Sequence, residues 1–479
     1  MFKKIFAVFG IGIATLMLPV LAFASEPPMD EPMQKPEAEA IHTAQVSETG
    51  VVSPLGTLEY VAIGIFVIGY LFITMEHKFS VHKSAIALLL ASILWVLASV
   101  SGADHHTLEV LLHEAGGEVF EIIIFLLAAM SLVEILVHYQ FFDIIRLKLM
   151  KLKLKDRPQF LIIAYLTFFL SAVLDNMTIT IVMIQIARRF FKGKNLLIAA
   201  AGVVIMANAG GAWSPLGDVT TIMIWLAKKF TTFEIISQGL IPSLVLGTVS
   251  TALIVRQMSD DTKDLEEEKS ITLTRGEKLV IGLSLASFSL PLIMHSFGLR
   301  PYMGLLLGLG LVWSVIEILK VRSNLVTHLE ANIEHILQKS DIASLKFFIG
   351  ILLAVSALNV MGVLEHLSLI AFGVTQEFNR VVIGNVFIGL FSAVVDNVPL
   401  TALSLDVITL ADPHVWVLLA LAVGTGGSFL IIGSVAGVIA MGMVKELSFE
   451  KYFRIAALPA LLGYIAGMIT WYVQYLLIT

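Results

Sequence analysis

Two short runs of this chain carry the same chemistry. Residues 171–180 read Ser171-Ala172-Val173-Leu174-Asp175-Asn176-Met177-Thr178-Ile179-Thr180, and residues 392–401 read Ser392-Ala393-Val394-Val395-Asp396-Asn397-Val398-Pro399-Leu400-Thr401. Each lies inside a long apolar stretch, where an ionisable side chain is costly unless it has a partner or a function. The same Asp-Asn pair in both halves of a hydrophobic chain points to a transporter of inverted repeats with its site at the membrane midplane. Two further segments interrupt apolar stretches with glycine. One reads Ala207-Asn208-Ala209-Gly210-Gly211-Ala212-Trp213-Ser214-Pro215-Leu216-Gly217-Asp218-Val219-Thr220-Thr221; the other reads Val423-Gly424-Thr425-Gly426-Gly427-Ser428, with Gly433-Ser434 beyond. Such runs do not continue a regular helix. Unwound backbone at membrane depth is tolerated where it is buried in protein or lines a cavity.

The four segments offer a set of oxygen ligands for a cation or protons. The first half supplies Asp175, Asn176, Thr178, Asn208, Ser214, Asp218, Thr220 and Thr221. The second supplies Ser392, Asp396, Asn397, Thr401, Thr425, Ser428 and Ser434. No Lys or Arg falls within these runs, whereas a carboxylate, phosphate or sulfate substrate calls for a donor-rich or cationic pocket. Oxygen ligands without His or Cys suit a hard ion. A small monovalent cation such as Na⁺ is therefore expected at Asp175, Asn176, Asn208, Asp218, Asp396 and Asn397, with no cofactor beyond the transported ions. Desolvation disfavours the charged form of a carboxylate, so one group can hold a proton or a cation in competition. That competition is a minimal mechanism for cation/proton antiport. Structural roles stand beside these: Ser and Asn as interhelical glue, Asp218 as a helix cap. A weaker internal match pairs Met130 and Glu134 with Met361 and Glu365.

The rest of the chain must position these residues in a bilayer. Of 479 residues, 57% are hydrophobic and 14% charged, with mean hydropathy +0.90. A soluble chain carries about 25% charged residues, so this is an all-α polytopic membrane protein. A net charge of −6 without a basic stripe gives no case for nucleic acid. The absence of cysteine excludes disulfides and thiolate chemistry.

Residues 1–24 read as a signal peptide: Lys3 and Lys4, an apolar run, then Ala22-Phe23-Ala24. An uncleaved first span is the alternative. Residues 25–56 read as an extracytoplasmic segment rich in Pro and acid.

Repeat 1, 57–256, has spans at about 57–75, 84–100 and 119–138, a hairpin at 158–187, a broken span at 195–225 and a last span at 238–256. The hairpin follows from charge. Basic residues between Arg146 and Arg157, and again between Arg188 and Lys194, flank 158–187, and both belong inside if the segment enters and returns. This threading leaves Lys228 and Lys229 outside, against the charge rule. Residues 257–278 form a cytoplasmic linker. Repeat 2, 279–479, has spans at about 279–297, 302–320 and 345–363, a hairpin at 381–410, a broken span at 415–442 and a span at 455–477. Each half crosses five times, so the second is inverted.

The paired Ser-Ala-Val-x-Asp-Asn runs and the break from Asn208 to Thr221 resemble NhaD-type sodium/proton antiporters of the ion transporter superfamily, over nearly the whole chain after the signal segment. The Asp-Asn motifs stand where the superfamily's divalent-anion symporters have Ser-Asn-Thr tips. The resemblance implies Na⁺ and Li⁺ export driven by proton entry across a bacterial inner membrane, by a homodimer with an elevator-like motion. The half-sites differ: Pro399 stands opposite Thr178, and Ser434 opposite Asp218. Alternatives are an arsenite efflux carrier of the same superfamily and a sodium-coupled anion symporter. An intramembrane aspartyl protease fails, because Pro215 breaks the Gly-x-Gly-Asp pattern at Asp218.

Overall fold

The computed structural model describes residues 55–74, 81–101, 105–260, 271–322, 341–373, 376–431 and 433–478. The signal peptide, the N-terminal segment up to residue 54 and residues 261–270 of the linker lie outside the described residues. The described residues form helices and no strands. In chain order these are α1 Thr57–Thr74, α2 Lys83–Val100, α3 His105–His138, α4 Phe141–Met150, α5 Asp156–Ser171, α6 Asn176–Phe190, α7 Gly193–Gly211, α8 Val219–Leu226 and α9 Thr232–Val255. They continue with α10 Arg275–Ser287, α11 Leu290–Ser296, α12 Tyr302–Arg322, α13 Ile342–Val360, α14 Val363–Phe372, α15 Phe378–Phe391 and α16 Asn397–Val407. Last come α17 Pro413–Gly426, α18 Val435–Met443, α19 Phe449–Tyr452, a π-turn at Phe453–Ala457, and α20 Leu458–Ile478.

Among the described residues, seven helices are long and apolar enough to cross a membrane, or eight if α10 and α11, bent by 41°, form one span. Large apolar side chains lie on the outer surface, among them Ile68, Leu311, Val321 and Leu477. Only a lipid solvent suits such a surface.

Several elements differ from the hydropathy reading. The helix expected at 119–138 begins at His105 and runs 34 residues. Its first turns carry Glu109, Glu114, Glu118 and Glu121, which lower the hydropathy but are good helix formers. The basic loop after it contains α4, which buries Phe142 and Leu149 and holds Arg146 and Lys148 on its remaining surface. A matching short helix, α14, follows α13. Both start after a left-handed residue, Gln140 at φ 60° and Gly362 at φ 73°. Glu134 therefore lies within α3 while Glu365 lies in the first turn of α14, and the proposed match of these two glutamates fails.

Lys228 and Lys229 follow α8 in a tight turn, with Lys228 at φ 55°. Lys229 Nζ sits 4.7 Å from the Trp416 ring centroid, and Lys228 lies within electrostatic range of Glu121. Glu121 is also paired with Arg300 at 3.1 Å. These partners meet the charge that the threading left unexplained.

The helices pack as two groups. One joins α1, α2, α3, α10, α11, α12 and α13. The other joins α5 to α9 with α15 to α20; α16 touches α13 of the first group, and α14 packs on α13, α15 and α16 between the two. Close packing in the second group rests on glycine. A Cβ on Gly210 would strike the Phe168 carbonyl, and one on Gly426 would strike the Gly389 carbonyl. Hydroxyls stitch the same contacts, with Ser171 Oγ donating to Ala207 O at 2.6 Å and Ser392 Oγ to Val423 O at 2.9 Å. Pro459 has no N–H for the Ile455 carbonyl one turn back. Gln257 Nε2 donates to that carbonyl at 3.0 Å, beside the π-turn.

Candidate cation site

Both Asp-Asn runs mark the turn between two helix arms. The arms α5 and α6 have 16 and 15 residues, and α15 and α16 have 14 and 11. At 1.5 Å per residue each is about 16–24 Å long, shorter than a ~30 Å hydrocarbon core. In each pair the Asp is the N-cap of the second arm. Asp175 accepts from Thr178 N at 2.9 Å and from Thr178 Oγ1 at 2.6 Å. Asp396 accepts from Val398 N at 3.1 Å. An N-cap side chain turns back onto its own helix end. The following Asn is left to reach across the molecule.

The glycine-rich segments break where the sequence suggested. The chain leaves α7 at Gly211 and re-enters a helix at α8, capped by Asp218. It leaves α17 at Gly426 and resumes at α18, capped by Ser434. The breaks fold tightly: a Cβ on Gly211 would lie 2.7 Å from the Gly217 carbonyl, and one on Gly427 would strike the Gly433 carbonyl. The half-helices then exchange partners, α18 packing on α6 and α8 on α16. That exchange brings the two halves of the chain together at one point.

The point is Asp218, which is buried. Its Oδ1 accepts from Val219 N at 2.9 Å and from Asn176 Nδ2 at 3.0 Å. Its Oδ2 accepts from Thr220 Oγ1 at 2.7 Å and from Asn397 Nδ2 at 3.1 Å. One carboxylate thus receives the asparagine of each Asp-Asn motif. Asn176 Nδ2 also reaches Asn208 Oδ1 at 3.4 Å, and Asn208 Nδ2 donates to Ser428 Oγ at 2.9 Å and Ser434 Oγ at 3.1 Å. Gly424 lets α17 approach: a Cβ there would lie 3.4 Å from Asp218 Oδ2. Tyr452 donates from its hydroxyl to the Ser428 carbonyl, at the second break, at 2.8 Å.

Charge follows from this layout. Four helix N-termini, of α6, α8, α16 and α18, meet here, and converging N-termini attract anions. Three of the four caps are themselves carboxylates: Asp175, Asp218 and Asp396. Asp175 and Asp396 lie within electrostatic range of Asp218. At about half a unit charge per helix end, the four N-termini are outweighed by three full negative charges. The C-termini of α5, α7, α15 and α17 lie at the same breaks and add carbonyl oxygens. With the three carboxylates ionised the site is therefore net negative, a charge that suits a cation rather than an anion.

The predicted residues divide. Asn176, Asn208, Asp218, Thr220, Asn397, Ser428 and Ser434 form one hydrogen-bonded network. Asp175 and Asp396 stand at its rims. A cavity of about 20 Å³ separates Asp175, Val173 and Leu216 from Phe125, Met130 and Phe288, room for about one water. At the other rim, Asp396 N donates to Tyr70 Oη at 2.7 Å. The remaining hydroxyls are spent locally. Thr178 is committed to Asp175, Thr221 Oγ1 to Asp218 O at 2.8 Å, Thr401 Oγ1 to Asn397 O at 2.9 Å and Thr425 Oγ1 to Leu421 O at 2.6 Å. Ser214 Oγ accepts from Leu216 N at 3.3 Å, and Ser392 serves the helix contact described above. Tyr70 and Tyr452 escaped the sequence reading. Tyr70 meets Asp396 across 326 positions, and no local pattern announces such a pairing.

Fold and site together define a multi-pass, all-helical membrane transporter. The family model described as citrate transporter matches residues 69–424, and the chain belongs to that family. Among its relatives is Sodium/proton antiporter 2 of Arabidopsis thaliana, 39% identical over 424 residues that cover 85% of this chain and 97% of the relative. The Na(+)/H(+) antiporter NhaD of Halomonas elongata is 28% identical over 491 residues, covering 96% of this chain and 94% of that protein. The protein of the same name from Vibrio cholerae is 29% identical over 445 residues, 86% and 91% of the two chains.

Proposed function

We propose that this chain is a secondary antiporter that moves Na⁺, and Li⁺, against H⁺ at the Asp218 network. The observation that carries the reading is the replacement of anion positions by carboxylates at three of four converging helix N-termini. Asp218 ties both Asp-Asn motifs to one charge, so a cation or proton bound there touches both halves of the chain. The two occupants compete for that charge, which couples their movement. The names of the relatives agree with this assignment. The family description names citrate, a tricarboxylate, but the network and its rims offer it no Lys or Arg and three repelling carboxylates.

The matched serine contacts, glycine contacts and left-handed turns support two inverted repeats, with α5–α6 and α15–α16 as re-entrant hairpins entering from opposite faces. The division into two helix groups supports motion of the site-bearing group past the other. The same reading assigns a homodimer in a bacterial inner membrane, and transport without chemical catalysis.

The test is proton flux in inverted vesicles from a strain lacking its own antiporters. Na⁺ and Li⁺ should each collapse an imposed proton gradient, and citrate should not. Flux driven by citrate, with no response to Na⁺, would replace this reading with anion transport.

A further inference from the structure

The two halves build similar pockets and fill them differently. The run Asn208-Ala209-Gly210-Gly211 aligns with Gly424-Thr425-Gly426-Gly427, and the cap Asp218 with Ser434. Two half-sites result. In the first, Asp218 and Thr220 face the bare backbone of Gly424. In the second, Ser428 and Ser434 face the side chain of Asn208.

The orientation of that side chain is fixed by a chain of donors. An ionised carboxylate only accepts, so Asn176 must turn its NH₂ toward Asp218 Oδ1. The second hydrogen of that NH₂ faces Asn208, which must answer with its carbonyl oxygen. Asn208 therefore presents its own NH₂ to the second half-site, midway between two serine hydroxyls at 2.9 and 3.1 Å. All four side chains are buried, and Asn208 has no exposed surface.

We infer that Asn208 is a built-in substitute for a second cation, so that the chain binds a single Na⁺ at Asp218. The inference rests on the antiporter reading and deepens it. The two half-sites differ in what they still require. Asp218 keeps a full negative charge after four neutral donors have bound it, and a buried charge is costly without a counter-charge. The second half-site contains only neutral hydroxyls, and the Asn208 NH₂ satisfies them. Asn208 also faces the first half-site with its carbonyl oxygen, a ligand for the ion held there. One amide thus opens one half-site and closes the other.

The experiment counts radiolabelled Na⁺ bound per chain at saturation, on purified full-length protein in nanodiscs. Wild type should bind one. Asn208→Asp keeps the shape and replaces the NH₂ by an oxygen, so it should bind two. Asn208→Ser, which vacates the half-site, serves where the first variant does not fold, and should also rise above one. Two Na⁺ per wild-type chain would overturn the inference while leaving antiport intact. So would one Na⁺ per chain in whichever variant folds. Zero binding by wild type would sink the antiporter reading itself.

Discussion

Replacing Asp218 by Asn removes one charge at the centre of the network and little else. Of the four donors around the carboxylate, the Val219 N–H cannot turn, so the new amide oxygen must stay on that side with Asn176. Its NH₂ then faces Thr220 and Asn397. The threonine hydroxyl can rotate to accept, and the Asn397 amide can flip. Folding should cost no more than about 1–3 kcal/mol, the penalty of one imperfectly satisfied buried group. Ion binding should suffer far more. A cation within about 4 Å of a unit charge gains about 4 kcal/mol at an effective dielectric constant of about 20. That corresponds to a loss of about a thousandfold in apparent Na⁺ affinity. The assay is Na⁺-dependent proton flux in proteoliposomes containing a pH-sensitive dye, with protein content and unfolding temperature measured on the same preparation. Half-saturation within about threefold of wild type, in a variant that inserts normally, would refute the role given to Asp218.

Asp175→Asn should leave stability nearly unchanged, because Asn caps a helix as well as Asp; exchange should fall steeply, and wild-type exchange rates would remove Asp175 from the pathway. Tyr70→Phe strips the acceptor from the Asp396 N–H. Leaving that donor without a partner costs about 1–3 kcal/mol, and turnover at Asp396 should drop about tenfold with normal protein levels. Unchanged turnover would make the contact incidental. Gly426→Ala should lower the unfolding temperature, because its Cβ meets the Gly389 carbonyl and overpacking costs about 1–3 kcal/mol or more. Gly282→Ala is the control: it has open space around it and should gain up to about 1 kcal/mol from the stiffer helix. Equal behaviour of the two glycine variants would contradict the packing described.

Much of the fold was legible because hydrocarbon imposes simple rules. Apolar runs located most of the long helices, and the Gly-Gly pairs, with Gly217-Asp218 and Gly433-Ser434 beyond them, located both breaks in helix. Charge placement pointed to a turn at Asp175. The start of α3 was missed because Glu109 to Glu121 depress hydropathy without weakening the helix. The α4 helix was missed because its Arg and Lys read as a basic loop, and α14 because it is a short apolar helix set off from α13 only by the left-handed Gly362. The site was legible as a set of residues, not as a geometry. Asp175 and Asp396 drew attention for their charge, yet an N-cap points back at its own helix, and the neighbouring asparagines make the long reach to Asp218. Contacts such as Asn397 with Asp218 depend on how the half-helices exchange partners, which no local pattern encodes.

Proton release on ion binding shows whether Na⁺ and H⁺ share one carboxylate. Purified protein in a weakly buffered solution is mixed with Na⁺, and the pH change is recorded. If Na⁺ and H⁺ compete for the Asp218 network, Na⁺ should release protons saturably, and Asp218→Asn should abolish the signal. Absence of release from wild type, or release that survives in Asp218→Asn, would contradict exchange at this carboxylate.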